Sequence, residues 1–463
     1  MKLRDVPPAS FQGVCPSILT TCAADGTPNV TYLSQVFAVD DRHVALSCQF
    51  FNKTKRNVLE NPRACVQLYD PLTFDAYRLE LRYDHEELSG PLFDVMRCRI
   101  DAIASHVGMA GVFKLLSADV YEVLSVERVD GFLAERPSVV EADELRGEQS
   151  ELGGLQLVSQ RVARATDLEG LYAAVLDALA EALGFDHSMI FLVDETAERL
   201  FAIATHGYGD AGIGAEVRVG DGLVGAVARD RRLLRVTGVG AELRYGRAVR
   251  SSVQRAGGAH TVKPEIPLPG LVDAQSQIAL PLLVGDRLIG VLAVESRRAI
   301  AFESWHEAFL DIIANQVAVA IDRMSLREHE LSSQIAEPPA EAPTPSQRAA
   351  SESCATRFRF FPGDDCVFVD DEYLVRNMPG RILWKLLRAH VATGRTDFTN
   401  RELRLDGSLG LPPLRDNLES RLVLLRKRLE QKHAGVKMVP SGRGCFRLEV
   451  SCQIALEECD GTS

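Results

Sequence analysis

Basic side chains concentrate near the carboxyl end of the chain, on one helical segment and on the glycine-rich turn that follows it. Residues 357 to 450 contain 18 Lys and Arg against 12 Asp and Glu, in a chain whose net charge is -12. The segment LRDNLESRLVLLRKRLEQK has leucines at helical spacing, which predicts one apolar seam and a polar remainder. The seam consists of Leu418, Leu422, Leu425 and Leu429. Further on, KMVPSGRGCFRLEV predicts a strand, a tight turn and a returning strand.

A cationic helix followed by a hairpin suits duplex DNA, because the helix fits a major groove of about 12 Å and the hairpin tip reaches the flanking phosphates. Helical geometry places Ser420, Leu424, Lys427 and Gln431 roughly opposite the seam. The predicted DNA-contacting residues are Arg415, Asn417, Arg421, Lys427, Arg428, Ser441 and Arg443. The alternative is an ordinary amphipathic helix with a solvated basic face.

Residues 356 to 452 resemble the winged-helix domain of OmpR/PhoB-type response regulators. FRFFPGDDCVFVDDEYLVRNMP matches their opening sheet, and Gly442 to Arg447 matches the wing imperfectly. Upstream of the basic helix, a second apolar helix ends near Gly394, and Thr399 with Glu402 forms a capping box for another. The resemblance implies three helices and a wing. Family members carry an Arg pair in the recognition helix where this chain has Val423 and Leu424.

A second cluster of cations lies where QFFNKTKRNVLENP passes from a strand into a helix. Lys53, Lys55 and Arg56 crowd the first helical turn, where exposed N–H groups already present partial positive charge. A bound phosphate would accept hydrogen bonds from both the amides and the lysines. The alternative is a basic helix start near solvent with no ligand.

Residues 10 to 130 are similar to the pyridoxamine-phosphate-oxidase-type split barrel, which binds FMN. The matching pieces are ILTTCAADGTPNVTYLSQVFAVDD, KTKRNVLENPRACVQL and GVFKLLSADVYEVLSV. The resemblance implies that Lys55 and Asn57, with Thr54, hold the flavin phosphate. The predicted cofactor-binding residues are Ser47, Gln49, Lys53, Thr54, Lys55 and Asn57, and no residue is assigned a catalytic role.

The middle of the chain alternates capped helices with strands. Thr166 and Glu169 predict a capping box at the start of a long helix. The segment VRVGDGLVGAVARDRRLLRV predicts a strand, a turn and a helix. Ser304 and Glu307 predict the cap of a closing helix. This region resembles a GAF domain, which implies a small-molecule effector of unspecified chemistry. The cationic insert from Gly240 to Ala274 either closes over an anionic ligand or is a solvated loop.

The sequence therefore predicts a multidomain α+β protein. We predict a split β-barrel at residues 1–135, a GAF domain at 150–330, a disordered linker at 331–355 and a winged helix at 356–452. No apolar run is long enough to cross a membrane, and MKLRDVPPAS lacks a signal-peptide core, so a cytoplasmic location is expected.

Scattered residues show no metal or redox pattern. The ten cysteines lack CxxC spacing and are interpreted as mostly buried reduced thiols, while His85, His106 and His187 are isolated and interpreted as structural; no metal site is expected. An apolar stripe after Ser304 predicts a homodimer, unless it covers the domain's own sheet. It consists of Phe309, Ile312, Ile313, Val317, Ile321, Met324 and Leu326.

Two functions follow from these patterns. The first is a sensory transcriptional regulator, in which flavin or a metabolite bound upstream controls duplex DNA binding by the winged helix. The second is an FMN-dependent oxidoreductase with regulatory GAF and winged-helix domains.

Overall fold

The computed structural model describes most of the chain. The described residues are 1–49, 53–129, 151–194, 198–208, 212–240, 247, 255, 270–334, 355–363, 365–411, 417–442 and 444–459. Most of the predicted linker and of the cationic insert lies outside them, as do Arg415 and Arg443. Residue contacts group the chain into two compact units. The first comprises Met1–Leu157, Leu179–Ser188 and Val217–Asn315, and the second Val158–Ala178, Met189–Glu216 and Gln316–Ser463.

The N-terminal region folds as a seven-stranded sheet with two helices. Its elements are β1 Ser17–Cys22, β2 Pro28–Leu33, β3 Phe37–Ala38, β4 His43–Cys48, α1 Lys53–Glu60, β5 Arg63–Tyr69, β6 Ala76–Glu87, α2 Pro91–His106 and β7 Ser117–Val129, preceded by short 3-10 helices at Leu3–Asp5 and Pro8–Phe11. The strand order is β2-β1-β5-β6-β7-β4-β3. Inward-facing Leu19, Val66, Leu79 and other apolar residues form the core.

The first two strands form a hairpin. β1 and β2 pair from Ser17 with Leu33 to Cys22 with Pro28, and Gly26 lies in the turn with φ +85°. β2 ends at Leu33, and β3 is a separate short strand paired with β4.

The middle region contains the predicted alternation of helices and strands. Its elements are α3 Glu151–Arg164, α4 Leu168–Leu183, β8 His187–Val193, β9 Arg199–His206, β10 Glu216–Arg218, α5 Gly222–Asp230, β11 Leu234–Thr237, β12 Ser276–Val284, β13 Arg287–Ser296 and α6 Ser304–Gln334. Neighbouring strands follow the orders β10-β9-β8 and β13-β12-β11.

The observed N-terminal caps of α4 and α6 differ from the predicted ones. α4 begins at Leu168, and the Asp167 carboxylate, not the Thr166 hydroxyl, accepts the hydrogen bond from the Gly170 amide at 2.8 Å. At α6, Ser304 is already helical. His306 Nδ1 accepts the Glu303 amide hydrogen bond at 2.9 Å, while Glu307 pairs with Arg235 at 2.9 Å. Both caps therefore lie one residue away from the predicted positions.

The glycines of VGDGLVG shape a tight entry into α5. Gly220 and Gly222 have φ of +94° and +62°, which L side chains rarely adopt. A Cβ on Gly225 would lie 2.2 Å from the Arg218 carbonyl oxygen, so only glycine permits this close approach. The predicted strand, turn and helix of this segment are confirmed.

We call residues 355–459 the C-terminal lobe. It contains β14 Ala355–Phe361, β15 Cys366–Val369, β16 Glu372–Val375, α7 Asn377–Thr393, β17 Asp397–Thr399, α8 Asn400–Leu405, α9 Leu418–Gln431, β18 Val436–Gly442, β19 Cys445–Val450 and β20 Gln453–Glu458. One sheet has the order β16-β15-β14-β20 and the other β17-β19-β18. β20 pairs in parallel with β14 and lies beyond residue 452, where the sequence suggested that the domain ends.

Local signals in the C-terminal lobe are confirmed. The Thr399 hydroxyl accepts the Glu402 amide hydrogen bond at 3.2 Å, and Gly394 ends α7 in the left-handed region. All four leucines of the α9 seam are buried in the lobe's core, which also contains Trp384 and Phe446.

Other expectations have mixed outcomes. Five of the seven stripe residues of α6 are buried, whereas Ile312 is 44% exposed, so the homodimer stays a prediction.

The nine cysteines in the described residues are free thiols, but only Cys48 and Cys98 are buried, so the expectation of mostly buried thiols is wrong. His106 is buried and accepts a hydrogen bond from the Leu223 amide, a structural role. In the described part of the chain, no helix has the length and apolarity to span a bilayer, and no cluster of three or more His, Cys, Asp or Glu is arranged for a metal.

Candidate functional site

The lysine expected to hold a phosphate is buried among carboxylates. Lys55 lies on α1 with a side chain that is 5% exposed, and its Nζ is 2.7 Å from both Asp119 Oδ1 and Glu86 Oε2. Nζ also donates to the Tyr83 hydroxyl at 3.2 Å. Burial alone would lower the pKa of Lys55, but the hydrogen bonds to Asp119, Glu86 and Tyr83 raise it above its usual value. The ammonium is therefore charged and already neutralised by the protein.

The other predicted cofactor residues contact the protein rather than one shared space. Asn57 is buried, and its amide donates to the Thr21 hydroxyl at 3.2 Å. The Thr54 hydroxyl accepts a hydrogen bond from the Asn29 amide at 3.0 Å. Lys53 is exposed and its Nζ is 3.5 Å from the Pro28 carbonyl oxygen, while Gln49 donates to Ser47 at 3.4 Å.

This donor set does not fit an FMN phosphate. Two carboxylates beside Lys55 would repel a dianion, and Asn57 already uses its amide inside the barrel. Among the described side chains of this helix start, the exposed Lys53 and Arg56 and the partly buried Thr54 remain as donors. We therefore derive no chemical step through a flavin.

The predicted DNA-contacting residues fall into three groups. Ser441 is exposed on the hairpin of β18 and β19, and Arg415 and Arg443 lie outside the described residues. Arg428 is used within the lobe, since its Nε donates to the Leu374 carbonyl at 2.9 Å. Asn417, Arg421 and Lys427 face the rest of the second unit.

Arg421, in the middle of α9, is only 1% exposed. Burial lowers the pKa of Arg421 to about 9, and the nearby Asp194 carboxylate partly opposes that shift. Burial also lowers the pKa of Lys427. In this arrangement the Arg421 guanidinium cannot reach a phosphate, because protein covers it.

Helix α9 is covered on the face opposite its seam. The Ser420 hydroxyl is 3.0 Å from the hydroxyl of Tyr172 on α4, and Leu424 is 4% exposed. The Asn417 amide donates to the Val193 carbonyl at the end of β8, at 3.3 Å. A Cβ on Gly214 would lie 3.6 Å from Leu424 Cδ1, which places the loop before β10 against this helix.

Two ion pairs border the same contact. The Glu216 carboxylate accepts hydrogen bonds from Nε and Nη2 of Arg376, at 2.7 and 2.6 Å. The Glu216 side chain is 11% exposed. Glu169 on α4 accepts from Arg426 at 2.5 Å. The hydrogen bond to Glu216 raises the pKa of Arg376 above its usual value, and burial opposes part of this rise. A bidentate Arg–carboxylate pair fixes geometry as well as charge.

A cleft runs beside these residues, with about 540 Å³ of space continuous with solvent. Its lining includes Asp194, Arg199, Glu216, Tyr373, Arg376 and Arg421. Sequence reasoning assigned Glu169 only to a capping box and gave Glu216 no role. Glu216 precedes Arg376 by 160 residues and Glu169 precedes Arg426 by 257, so no local spacing signals either pair.

Comparison with known proteins identifies two regions. A family model for pyridoxamine 5'-phosphate oxidase matches residues 12–122, and a GAF domain model matches residues 167–321. No curated protein matches the chain. The chain thus has a pyridoxamine-phosphate-oxidase-like N-terminal domain and a GAF domain.

Solved structures are similar to parts of the chain. The GAF domain of an Acinetobacter phosphoenolpyruvate-protein phosphotransferase is 18% identical, with 40% of this chain and 97% of that one covered and a TM-score of 0.31. The corresponding domain from Coxiella burnetii is 22% identical, with 38% and 96% covered and a TM-score of 0.31. An FMN-binding protein from Syntrophomonas wolfei is 16% identical, with 27% and 87% covered and a TM-score of 0.23.

Proposed function

We propose that the chain is a sensory transcriptional regulator whose C-terminal lobe is a winged helix that binds double-stranded DNA. The pyridoxamine-phosphate-oxidase-like and GAF domains suggest a sensory or regulatory protein. A small-molecule effector bound in the GAF domain would control the lobe, because a ligand shifts an equilibrium by binding one state better than the other.

The observation that carries the proposal is the packing of α9 within the lobe. Its leucine seam is buried in the same core as Phe446 of β19 and Met438 of β18, so helix and hairpin form one rigid body. α7 and α8 precede them, and the Glu419 carboxylate at the start of α9 pairs with Arg404 of α8. Three helices with an adjoining hairpin is the arrangement in which a helix enters the major groove and a hairpin flanks it.

Charge on the lobe supports a polyanionic partner. Lys437 and Ser441 are exposed on β18, and Arg443 follows them in the sequence. The excess of six positive charges over residues 357 to 450 contrasts with the acidic remainder of the chain. Such a basic module attached to an acidic body has an electrostatic preference for phosphate.

The second candidate, a flavin-dependent oxidoreductase, has weaker support. The family match to residues 12–122 favours it, but the carboxylates that neutralise Lys55 oppose a flavin phosphate at α1. We therefore place the regulator first.

A titration tests the proposed function. The intact chain is added to a short fluorescent DNA duplex at low ionic strength, and anisotropy reports the complex, with the single strand of the same sequence as the comparison. We expect saturable binding that favours the duplex. The proposal fails if neither the intact chain nor the variants that expose α9, introduced below, form a complex.

A further inference from the structure

Helix α9 presents its groove-facing surface to the protein itself. The residues opposite its leucine seam include Ser420, Arg421 and Leu424, which are 1%, 1% and 4% exposed. A helix cannot lie in a major groove while this surface is covered. The arrangement therefore does not permit the DNA contact that the proposed function requires.

We propose that the chain is autoinhibited: the GAF elements α4, β8 and the loop before β10 hold the C-terminal lobe with α9 covered, and DNA binding requires release of this contact. This inference rests on the proposed function. We call the polar contacts Glu216–Arg376, Glu169–Arg426, Tyr172–Ser420 and Asn417–Val193 the latch.

The composition of the latch suits a contact that opens. Its two ion pairs are partly solvated, with side-chain exposures of 11% to 38%. Each pair therefore adds modest stability to the contact, and salt weakens it. A cleft that opens to solvent is lined by Glu216 and Arg376, so this pair lies at a solvated border of the contact. Burying the Arg421 cation also costs solvation energy in the covered state, as its lowered pKa indicates. Polar contacts hold the lobe against that cost.

The GAF side of the latch could transmit a ligand signal without any contact between ligand and DNA. Glu169 and Tyr172 lie on α4, and Val193 ends β8. Glu216 begins β10, directly before the glycine turn that enters α5. A ligand that moves any of these elements changes the latch geometry, and so changes the fraction of chains with α9 exposed.

Single amide substitutions test the latch in the intact chain. Glu169→Gln weakens the pair with Arg426. Glu216→Gln weakens the pair with Arg376 and also the pair that Glu216 makes with Arg199 on β9. We expect each to raise duplex affinity, and the double variant to raise it about tenfold, equivalent to about 1.4 kcal/mol. Apparent affinity scales with the fraction of chains in the competent state, so this gain measures release.

Loss of negative charge by itself also favours DNA, so a matched control is needed. Asp177→Asn removes one charge from the same helix, α4, where the carboxylate pairs with His206 at 3.0 Å and does not contact the lobe. It should leave affinity within about twofold of the wild type. Tyr172→Phe changes no charge, removes the hydroxyl contact with Ser420 and should raise affinity.

Reversing both charges of the Glu216–Arg376 pair gives a test that does not depend only on removing a negative charge. Glu216→Arg should release the lobe, and adding Arg376→Glu should restore the pair and return affinity toward the wild-type value. Restoration would tie the effect of the single variant to the pair between positions 216 and 376.

The outcomes separate the two proposals. A gain in the latch variants but not in Asp177→Asn supports autoinhibition. Equal, salt-dependent binding by the wild type and all latch variants overturns autoinhibition and leaves DNA binding standing. Absence of binding by every variant overturns DNA binding, and the latch proposal with it.

Discussion

Carboxylates of the barrel neutralise the charge of Lys55, so this lysine pairs with the protein rather than with a phosphate. Its ammonium contacts Asp119, which is also buried, and Glu86, which is partly exposed. The sequence placed Lys55 correctly at a helix start but suggested a phosphate partner. Asp119 lies 64 residues away on β7, so its approach depends on strand pairing that local spacing does not encode.

Replacement of Lys55 by methionine should destabilise the barrel. Lys55→Met leaves Asp119 buried without its cation, and loss of one partner of a buried pair costs about 3 kcal/mol or more. Urea unfolding followed by intrinsic fluorescence measures the change. Lys53→Met, an exposed change on the same helix, should alter the free energy of unfolding by less than about 0.5 kcal/mol. Equal effects of the two substitutions would show that the buried cluster has no special role.

The same cluster predicts a pH dependence. A lysine whose pKa is raised on folding contributes stability fully below its unfolded-state pKa of about 10.4, and loses it as pH rises through the folded-state value. The stability difference between wild type and Lys55→Met should therefore stay constant between about pH 7 and pH 9. A difference that vanishes within this range would contradict the assigned protonation state.

The purified chain should carry no flavin bound through α1. Absorption spectra in the visible range, before and after incubation with FMN and gel filtration, measure this directly. We expect no retained flavin, because Lys55 and Asn57 already have protein partners. Retained flavin that is lost in Lys55→Met would contradict the account of this site and favour the oxidoreductase.

At the scale of single elements, sequence patterns were informative where the cause is local. The Thr399 cap, the Gly394 end of α7, the leucine seam and the hairpin turns all depend on residues within a few positions of each other. The caps of α4 and α6 lie one residue from the predicted positions, because Asp167 accepts from the Gly170 amide and His306 from the Glu303 amide. β20 was missed because its partner β14 lies about a hundred residues earlier.

The cap of α8 gives an element-scale prediction. Thr399→Ala removes the acceptor for the Glu402 amide and should cost about 1 kcal/mol. Hydrogen exchange of the α8 amides should accelerate accordingly. Thr393→Ala, at the exposed end of α7, should leave α8 exchange unchanged. If both substitutions act alike on α8, the cap does not stabilise it.

At the scale of the whole molecule, the sequence predicted the pyridoxamine-phosphate-oxidase-like and GAF domains but not the packing around α9. The positions opposite the leucine seam were expected to face DNA, and the structure covers them with α4, β8 and the loop before β10. That burial depends on pairs such as Glu216 with Arg376, which only the folded chain brings together. A regulator with a covered α9 accounts for both the cationic helix and its burial.

The salt dependence of duplex affinity tests DNA binding by the C-terminal lobe most directly. Anisotropy titrations of the Glu216→Gln chain and of the same chain with Arg443→Ala are repeated over a range of salt concentrations. We predict a linear fall of log affinity with log salt, and a slope smaller by about one unit when Arg443 is lost, because one phosphate contact disappears. Affinity that is undetectable or independent of salt in the Glu216→Gln chain would contradict the account.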